Sequence, residues 1–265
     1  MSKVIFKGRT VLVTGGGSGI GEAIACQFAK KGTNVILTGR RESELQRVAL
    51  KCSSYGVRTW CRQLDLEKKE SIDSLVEWIN AEGHKISFFL LNAGVSQRAK
   101  ALETGIETDR KLMEVNYFGG VYLIKSLKEM ILSSESIHIA AVSSISGLFG
   151  FPLRSAYCAS KRAIHGFYES LDLEYPNIHV TLLVPGRIRT EISRSAITAT
   201  GDKFGQMDPG QANGMDADVC AEIAIKAIAR ERHQKLIGGT ELLMAHIYRY
   251  CRCLYWKLAG KISAH

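Results

Sequence analysis

Short apolar runs of strand length alternate with amphipathic stretches of helix length along most of this 265-residue chain. "TVLVT" gives way to "GIGEAIACQFAKKG", "NVILTG" to "RESELQRVALKCSSYG", and "VRTWC" to "KKESIDSLVEWINAEG", before "ISFFLLN" closes the first half. The second half continues with "DRKLMEVNYFGGVYLIKSLKEMI", "SIHIAAVSS", a helix containing "SAYCASKRAIHGF", and "IHVTLLVPG". The short runs are apolar at nearly every position, as strands covered on both faces must be, whereas the longer stretches repeat at a helical period. Strand–helix alternation of this kind predicts a parallel sheet with helices on both faces, an α/β doubly wound, Rossmann-like fold.

The alternation lapses over 187–213, a polar, Gly-containing stretch that follows a strand end. Loops of that length inside compact domains are often lids, and this one is expected to cover the substrate. "DADVCAEIAIKAIARER" then returns to helical period, "KLIGG" reads as a short last strand, and 240–260 as one amphipathic terminal helix. No repeat, low-complexity tract or linker interrupts the chain, so a single domain over 1–265 is expected. A hydrophobic content of 46% with 25 Gly and only 4 Pro fits that size of core and argues against disorder.

Charge and cysteine usage narrow the function classes. The N-terminal "MSKVIFKGRT" has no apolar signal-peptide region and no stretch approaches a membrane span, which predicts a cytoplasmic protein. Seven Cys without CxxC pairs argue against a disulfide framework and a zinc site, so no metal is expected. The formal net charge of +9 arises largely in the tail, from Arg230, Arg232, Lys235, Arg249, Arg252, Lys257 and Lys261. No nucleic-acid motif accompanies it, so nucleic acid is not an expected partner. The tail's mixture of Leu, Tyr and Trp with Arg and Lys is compatible with peripheral membrane contact, and equally with a helix over the substrate cleft or at a subunit interface.

"TGGGSGIG", Thr14 to Gly21, joins the first strand to the first helix. Glycines there let the chain turn tightly and bring a pyrophosphate against the helix N-terminus, where free N–H groups and the dipole favour an anion. Gly15, Ser18, Gly19 and Ile20 are the candidate contacts. At the end of the second strand, "LTGRR" presents Arg40 and Arg41 where an NAD-selective site would place an acidic residue. Arginine suits a 2′-phosphate, so NADP(H) is favoured over NAD(H), although both residues could simply be a solvated helix start. In the "SAYCASK" helix, Tyr157 and Lys161 stand four positions apart, one turn along the same face. A cation beside a phenol lowers its pKa, but that spacing alone is weak evidence.

"TGGGSGIG", "LDL" with Asp65, "NAG" at Asn92 to Gly94, "VN" with Asn116, "VSSISG", "YCASK" and "PGRIRT" occur in an order that resembles the short-chain dehydrogenase/reductase family over nearly the whole chain. "VNYFG", "RSAYCASK" and "AITATGDKFG" are similar to the microsomal branch related to 11β-hydroxysteroid dehydrogenases. Animal members of that branch carry an N-terminal membrane anchor, which is not expected here. The resemblance implies that Tyr157 exchanges a proton with a carbonyl or alcohol oxygen. It also implies that Lys161 and a cationic nicotinamide ring stabilise the phenolate, with Lys161 bonding the nicotinamide ribose as well. Ser144 would polarise the substrate oxygen, neighbouring Ser143 being the competing assignment, and Asn116 would shape its helix and hold a proton-relay water.

Asp65 and Asn92 would lie on the adenine side, Gly94 would also contact the cofactor, and Pro185, Gly186 and Thr190 would lie near the nicotinamide amide. Asp65 as a helix N-cap is an equally good reading. Ser18 stands where some NADP enzymes have a basic residue, which leaves the phosphate to Arg40 and Arg41. Hydride transfer between NADP(H) and an apolar carbonyl or secondary alcohol is therefore the expected activity, in a homodimer or homotetramer. An idle dinucleotide sensor and an NAD-preferring alcohol oxidiser are the alternatives. "LFGF" at Leu148 to Phe151 would be an apolar substrate wall or ordinary core, and Cys158 a buried small hydrophobe.

Overall fold

The computed structural model describes residues 4–259. Its strands are β1 (Thr10–Thr14), β2 (Asn34–Gly39), β3 (Thr59–Gln63), β4 (Phe88–Leu91), β5 (Ile137–Val142), β6 (Ile178–Pro185) and β7 (Gln234–Ile237). They form one parallel sheet in the order β3-β2-β1-β4-β5-β6-β7. The chain winds outward from β1 to β3, returns to β4 beside β1, and winds out the other way. That reversal opens a crevice at the carboxyl ends of β1 and β4, where open α/β sheets bind ligands. Thr14 lies opposite both Thr38 and Leu91, so Gly15 and Asn92 leave the sheet side by side.

Helices α1 (Gly19–Lys30), α2 (Glu42–Ser53) and α3 (Lys69–Ala81) follow the first three strands. Alternation along each strand sends Val11, Val13, Val35 and Leu37 to the face covered by α1, while Leu12, Ile36, Phe89 and Ile139 face the layer containing α3. Both sets are essentially fully buried, which is why the strands read as continuous apolar runs. The third strand starts later than expected, at Thr59 instead of Val57.

The stretch around Asn116 is not one continuous helix. α4 (Ile106–Met113) widens into a π-turn over Glu114–Phe118, continues as α5 (Gly119–Ser126), and is followed by the short α6 (Lys128–Leu132). A π-turn inserts an extra residue and tends to mark functional sites; here it aims Asn116 at the loop after β4. α7 (Ser155–Glu174) carries Tyr157 and Lys161.

The expected lid, 187–213, is mostly irregular but holds one turn of helix, α8 (Pro209–Ala212), with Pro at its start and Asp208 as its cap. α9 (Ala217–Ile228) follows. The single terminal helix expected over 240–260 is instead broken. A 3₁₀ turn (Thr240–Leu242) leads into α10 (Leu243–Tyr250), the chain leaves helical geometry at Cys251, and α11 (Arg252–Ala259) resumes. The break lets Tyr255, 2% exposed, fold onto Phe149 and donate to the Gly150 carbonyl. A straight amphipathic helix would leave that ring outside. Residue 260 lies outside the described residues.

Candidate active site

The glycine turn is built by close approach. Gly15 (φ +66°) and Gly19 (φ +57°) hold the left-handed conformation that other residues adopt at a cost. A Cβ on Gly21 would stand 2.3 Å from the Gly15 carbonyl oxygen and 2.5 Å from Asn92 Nδ2. Asn92 braces the turn: its Nδ2 donates to the Gly15 and Thr14 carbonyls at 3.1 and 3.3 Å, and its backbone N–H donates to Thr14 Oγ1 at 3.0 Å. Ser18 occupies the α1 N-cap position without capping it, and its hydroxyl instead accepts from Arg41 Nη2 at 3.3 Å. That bond joins the glycine turn to the end of β2.

A cavity of 610 Å³ lies over this surface, lined by Gly15, Ser18, Gly19, Arg40, Arg41 and Asp65 among others. Asp65 is not a helix N-cap; Lys68 holds that position. Its carboxylate instead accepts from the Glu67 N–H at 3.2 Å, which fixes a tight turn at the cavity edge. Lys111 and Lys203 also reach this cavity, set against the carboxylates of Asp65 and Glu191.

A second cavity of 140 Å³ adjoins the first, sharing Ile20, Asn92, Gly94, Thr190 and Ile192. Ser144, Tyr157 and Lys161 open onto it, as do Pro185 and Gly186 from the end of β6. Lys161 is 3% exposed, and its Nζ donates to the Val142 carbonyl at 2.8 Å and stands 5.9 Å from the Tyr157 ring centroid. Burial lowers its pKa from 10.5 to about 8. Burial also raises the Tyr157 phenol, against which the Ser144 hydroxyl, then Arg154 and Arg98, pull downward. Lys161 is thus held at the end of β5 within reach of the Tyr157 ring, and Arg154 and Arg98 add to the positive potential at the phenol.

Between Ser143 and Ser144 the geometry discriminates. The Ser143 hydroxyl donates to the Lys161 carbonyl at 3.1 Å and lies 2.9 Å from His165 Nε2, so it is committed to holding α7 against β5. The Ser144 hydroxyl oxygen accepts from the Ser146 N–H at 3.2 Å, and the side chain faces the cavity beside Tyr157. Asn116 is 6% exposed, accepts from the Val95 N–H at 2.8 Å, and donates to the Val95 carbonyl and Ser160 Oγ, each at 2.9 Å. Gly94 separates Asn116 from Lys161: a Cβ there would stand 3.1 Å from Asn116 Oδ1 and 3.4 Å from Lys161 Nζ. Thr190 packs its methyl against Gly19. "LFGF" divides in two, Phe149 lying in the core and Phe151 on the cavity wall.

Several site residues carry no sequence signal. Gln97, fully buried, turns its Oε1 to the backbone N–H groups of Ala156 and Tyr157 at 2.9 and 3.3 Å, capping α7 from the loop after β4. Glu241 Oε1 accepts from the Arg187 N–H at 2.8 Å and closes the turn after Pro185–Gly186. Arg98, Arg154 and Asp208 form a buried ion cluster next to Tyr157.

A doubly wound parallel sheet with a glycine-lined crevice and a buried Ser–Tyr–Lys group beside it defines a class of dinucleotide-binding oxidoreductases. A profile of short chain dehydrogenases matches residues 9–201, and the chain belongs to that family of oxidoreductases. It is 36% identical over 261 residues to a dehydrogenase/reductase SDR family protein 7-like of Drosophila melanogaster, covering 96% of this chain and 80% of that one. To human dehydrogenase/reductase SDR family member 7 it is 30% identical, covering 96% and 77%. Among solved structures, a Burkholderia phymatum short chain dehydrogenase/reductase in complex with NAD superposes with a TM-score of 0.80 at 23% identity, over 99% of this chain and 98% of that one. A Sphingobium yanoikuyae short-chain dehydrogenase in complex with NADPH gives 0.77 at 24% identity, over 96% of both chains.

Proposed function

We propose that the protein is an NADP(H)-dependent carbonyl reductase that moves a hydride between the nicotinamide and a ketone or secondary alcohol. The observation that carries this reading is the convergence of Ser144, Tyr157 and Lys161 on a cavity that adjoins the glycine-lined one. The site fits a dinucleotide: Gly15, Gly19 and Gly21 leave a cradle that side chains would fill, and the N-terminus of α1 offers free N–H groups to a pyrophosphate. Arg40 and Arg41 favour the 2′-phosphate, since the end of β2 presents no carboxylate to a ribose hydroxyl.

Bound cofactor would supply the hydride to the carbonyl carbon and leave oxidised. The protein handles the other half of the reaction. Ser144 holds the carbonyl oxygen, and as its π pair becomes an alkoxide, Tyr157 gives up the phenolic proton. The buried Lys161 ammonium offsets the phenolate left behind. Asn116, bonded to both backbone groups of Val95, keeps the Gly94 approach to Lys161 open. The same reading places the protein in the cytoplasm as a homodimer or homotetramer associating through the helices that carry Asn116 and Tyr157. Exposed Tyr250 and Trp256 beside Arg249 and Arg252 support peripheral contact with an anionic membrane.

Titration of NADPH and NADH, followed by fluorescence, against wild type and Arg40→Ala tests the cofactor assignment, and a ketone panel tests the activity. NADPH is expected to bind at least ten times more tightly, with the preference lost in the variant. Equal binding or an NADH preference would refute the cofactor assignment; binding without turnover of any ketone would favour a sensor.

A further inference from the structure

The cavity holding Tyr157 contains more positive charge than the protein itself balances. Lys161, Arg154 and Arg187 line it, against Asp208 and Glu241. Both carboxylates are engaged: Glu241 holds the backbone N–H groups of Arg187 and Gly239 at 2.8 and 3.2 Å. Asp208 is shared, one oxygen accepting from Arg98 at 3.0 Å and Arg154 at 2.9 Å, the other from the Gly210 N–H at 2.8 Å. Within the Arg98–Arg154–Asp208 cluster, two guanidinium groups rest on one carboxylate, an excess of one positive charge.

That excess lies out of solvent. The side chains of Arg98, Arg154 and Asp208 are 2%, 17% and 11% exposed. A buried charge without its counterion is costly, so the arrangement calls for one more anion. The hydrogen bonding of the two arginines is also incomplete: Arg98 Nε and Arg154 Nε, both buried, meet no acceptor among the described residues. Of the two arginines, Arg154 is the one that faces the cavity. The two guanidinium groups also act on the Tyr157 phenol, so an anion held there lies close to the reacting carbonyl. Phe151, Ile145, Ile192 and Met244 supply an apolar wall for the rest of the molecule.

We infer that the substrate of this site is a keto acid, a carbonyl compound with an apolar body and a carboxylate that Arg154 receives where the lid segment meets the start of α7. The assignment rests on the carbonyl-reductase reading above. A carboxylate matches the excess in the Arg98–Arg154–Asp208 cluster, one against one, and its planar pair of oxygens suits a guanidinium fork. Asp208, carried by the lid, occupies part of the same guanidinium surface and so competes with the substrate for it.

The test uses the full chain with saturating NADPH and two probes of nearly equal shape, 4-acetylbenzoate and neutral 4-acetylbenzamide. Wild type is expected to reduce the acid with a kcat/KM at least tenfold above that of the amide. Arg154→Gln should bring that ratio near one, and Arg154→Lys should restore most of it. A wild-type preference for the amide, or an unchanged ratio in Arg154→Gln, overturns the assignment. Should Arg154→Gln fail to fold, Asp208→Asn decides: removing the internal competitor should raise the acid-to-amide ratio at least threefold, and a fall overturns it. If wild type reduces neither probe, calorimetric titration of each into NADP⁺-loaded protein separates the two readings. Binding of the acid alone, lost in Arg154→Gln, supports the carboxylate site while refuting carbonyl reduction; no binding of the acid refutes the site.

Discussion

Replacing Lys161 by Met should make the cofactor-free protein more stable while removing its activity. The ammonium is buried, and burial lowers its pKa from 10.5 to about 8. The unfolded chain therefore holds this proton more tightly than the folded one, and Lys161 opposes folding. Below about pH 8 the group is charged in both states and the full cost is present. The cost fades as pH rises from 8 toward 10.5, where the folded state has already lost the proton. At about 1.36 kcal/mol per pH unit the difference amounts to about 3 kcal/mol. Against it stands the hydrogen bond to Val142, about 1 kcal/mol. Lys161→Met is thus expected to gain about 2 kcal/mol at pH 7 and to lose nearly all of that advantage at pH 10. Urea unfolding of both proteins at the two pH values, without cofactor, measures the difference. A variant less stable than wild type at pH 7, or a difference that does not change with pH, would refute the reasoning.

Loss of the Lys161 proton should also lower kcat/KM for ketone reduction above about pH 8, and Lys161→Arg, charged throughout, should remove that limb from the profile. Tyr157→Phe removes the proton donor and is expected to cut kcat by about 10²- to 10⁴-fold in stopped-flow reduction, with the NADPH dissociation constant changed less than twofold. Gly21→Ala would drive a methyl to 2.3 Å from the Gly15 carbonyl oxygen; chemical unfolding should show a loss of about 1–3 kcal/mol, and fluorescence titration a loss of NADPH binding. Gln97→Leu leaves the N–H groups of Ala156 and Tyr157 uncapped inside the protein. It should cost about 1–2 kcal/mol in urea unfolding and lower kcat more than it raises KM, whereas a purely structural role would leave kcat per folded molecule unchanged.

The sheet was legible because its code is local. Strands buried on both faces must be apolar throughout, so "TVLVT" and "NVILTG" announce themselves at the bounds the structure gives them. β3 lies two residues beyond the apolar run that predicts it because it is at the sheet edge, where Arg62 and Gln63 are exposed and the hydrophobic pattern weakens. The terminal helix reads as continuous because its period survives the break at Cys251. What breaks it is the pull of Tyr255 toward Phe149, a contact between positions more than a hundred residues apart. The π-turn at Asn116 escaped for the same reason, since the bonds that fix it run to Val95 and Ser160 and leave no trace in the local pattern.

The candidate site divides along the same line. Glycines and the Tyr–Lys pair are legible because their chemistry demands particular residue types at short, fixed spacings. The family register counted back from Tyr157 already selects Ser144 over Ser143, and the fold supplies the physical reason, since His165 and the Lys161 carbonyl occupy the Ser143 hydroxyl. Gln97, Arg98, Arg154, Asp208 and Glu241 come from four separate segments, and in sequence each is an ordinary polar residue. Folding gives them meaning by burial: a guanidinium that would be solvated on a surface becomes, at 2% exposure, a charge that must be balanced by something. Residues that chemistry fixes by type appear in the sequence, whereas residues that act through an electrostatic balance appear only when the fold has removed the water around them. For that reason hydride-transfer chemistry leaves motifs in the sequence, while the charge balance around Arg98 and Arg154 exists only in the folded protein.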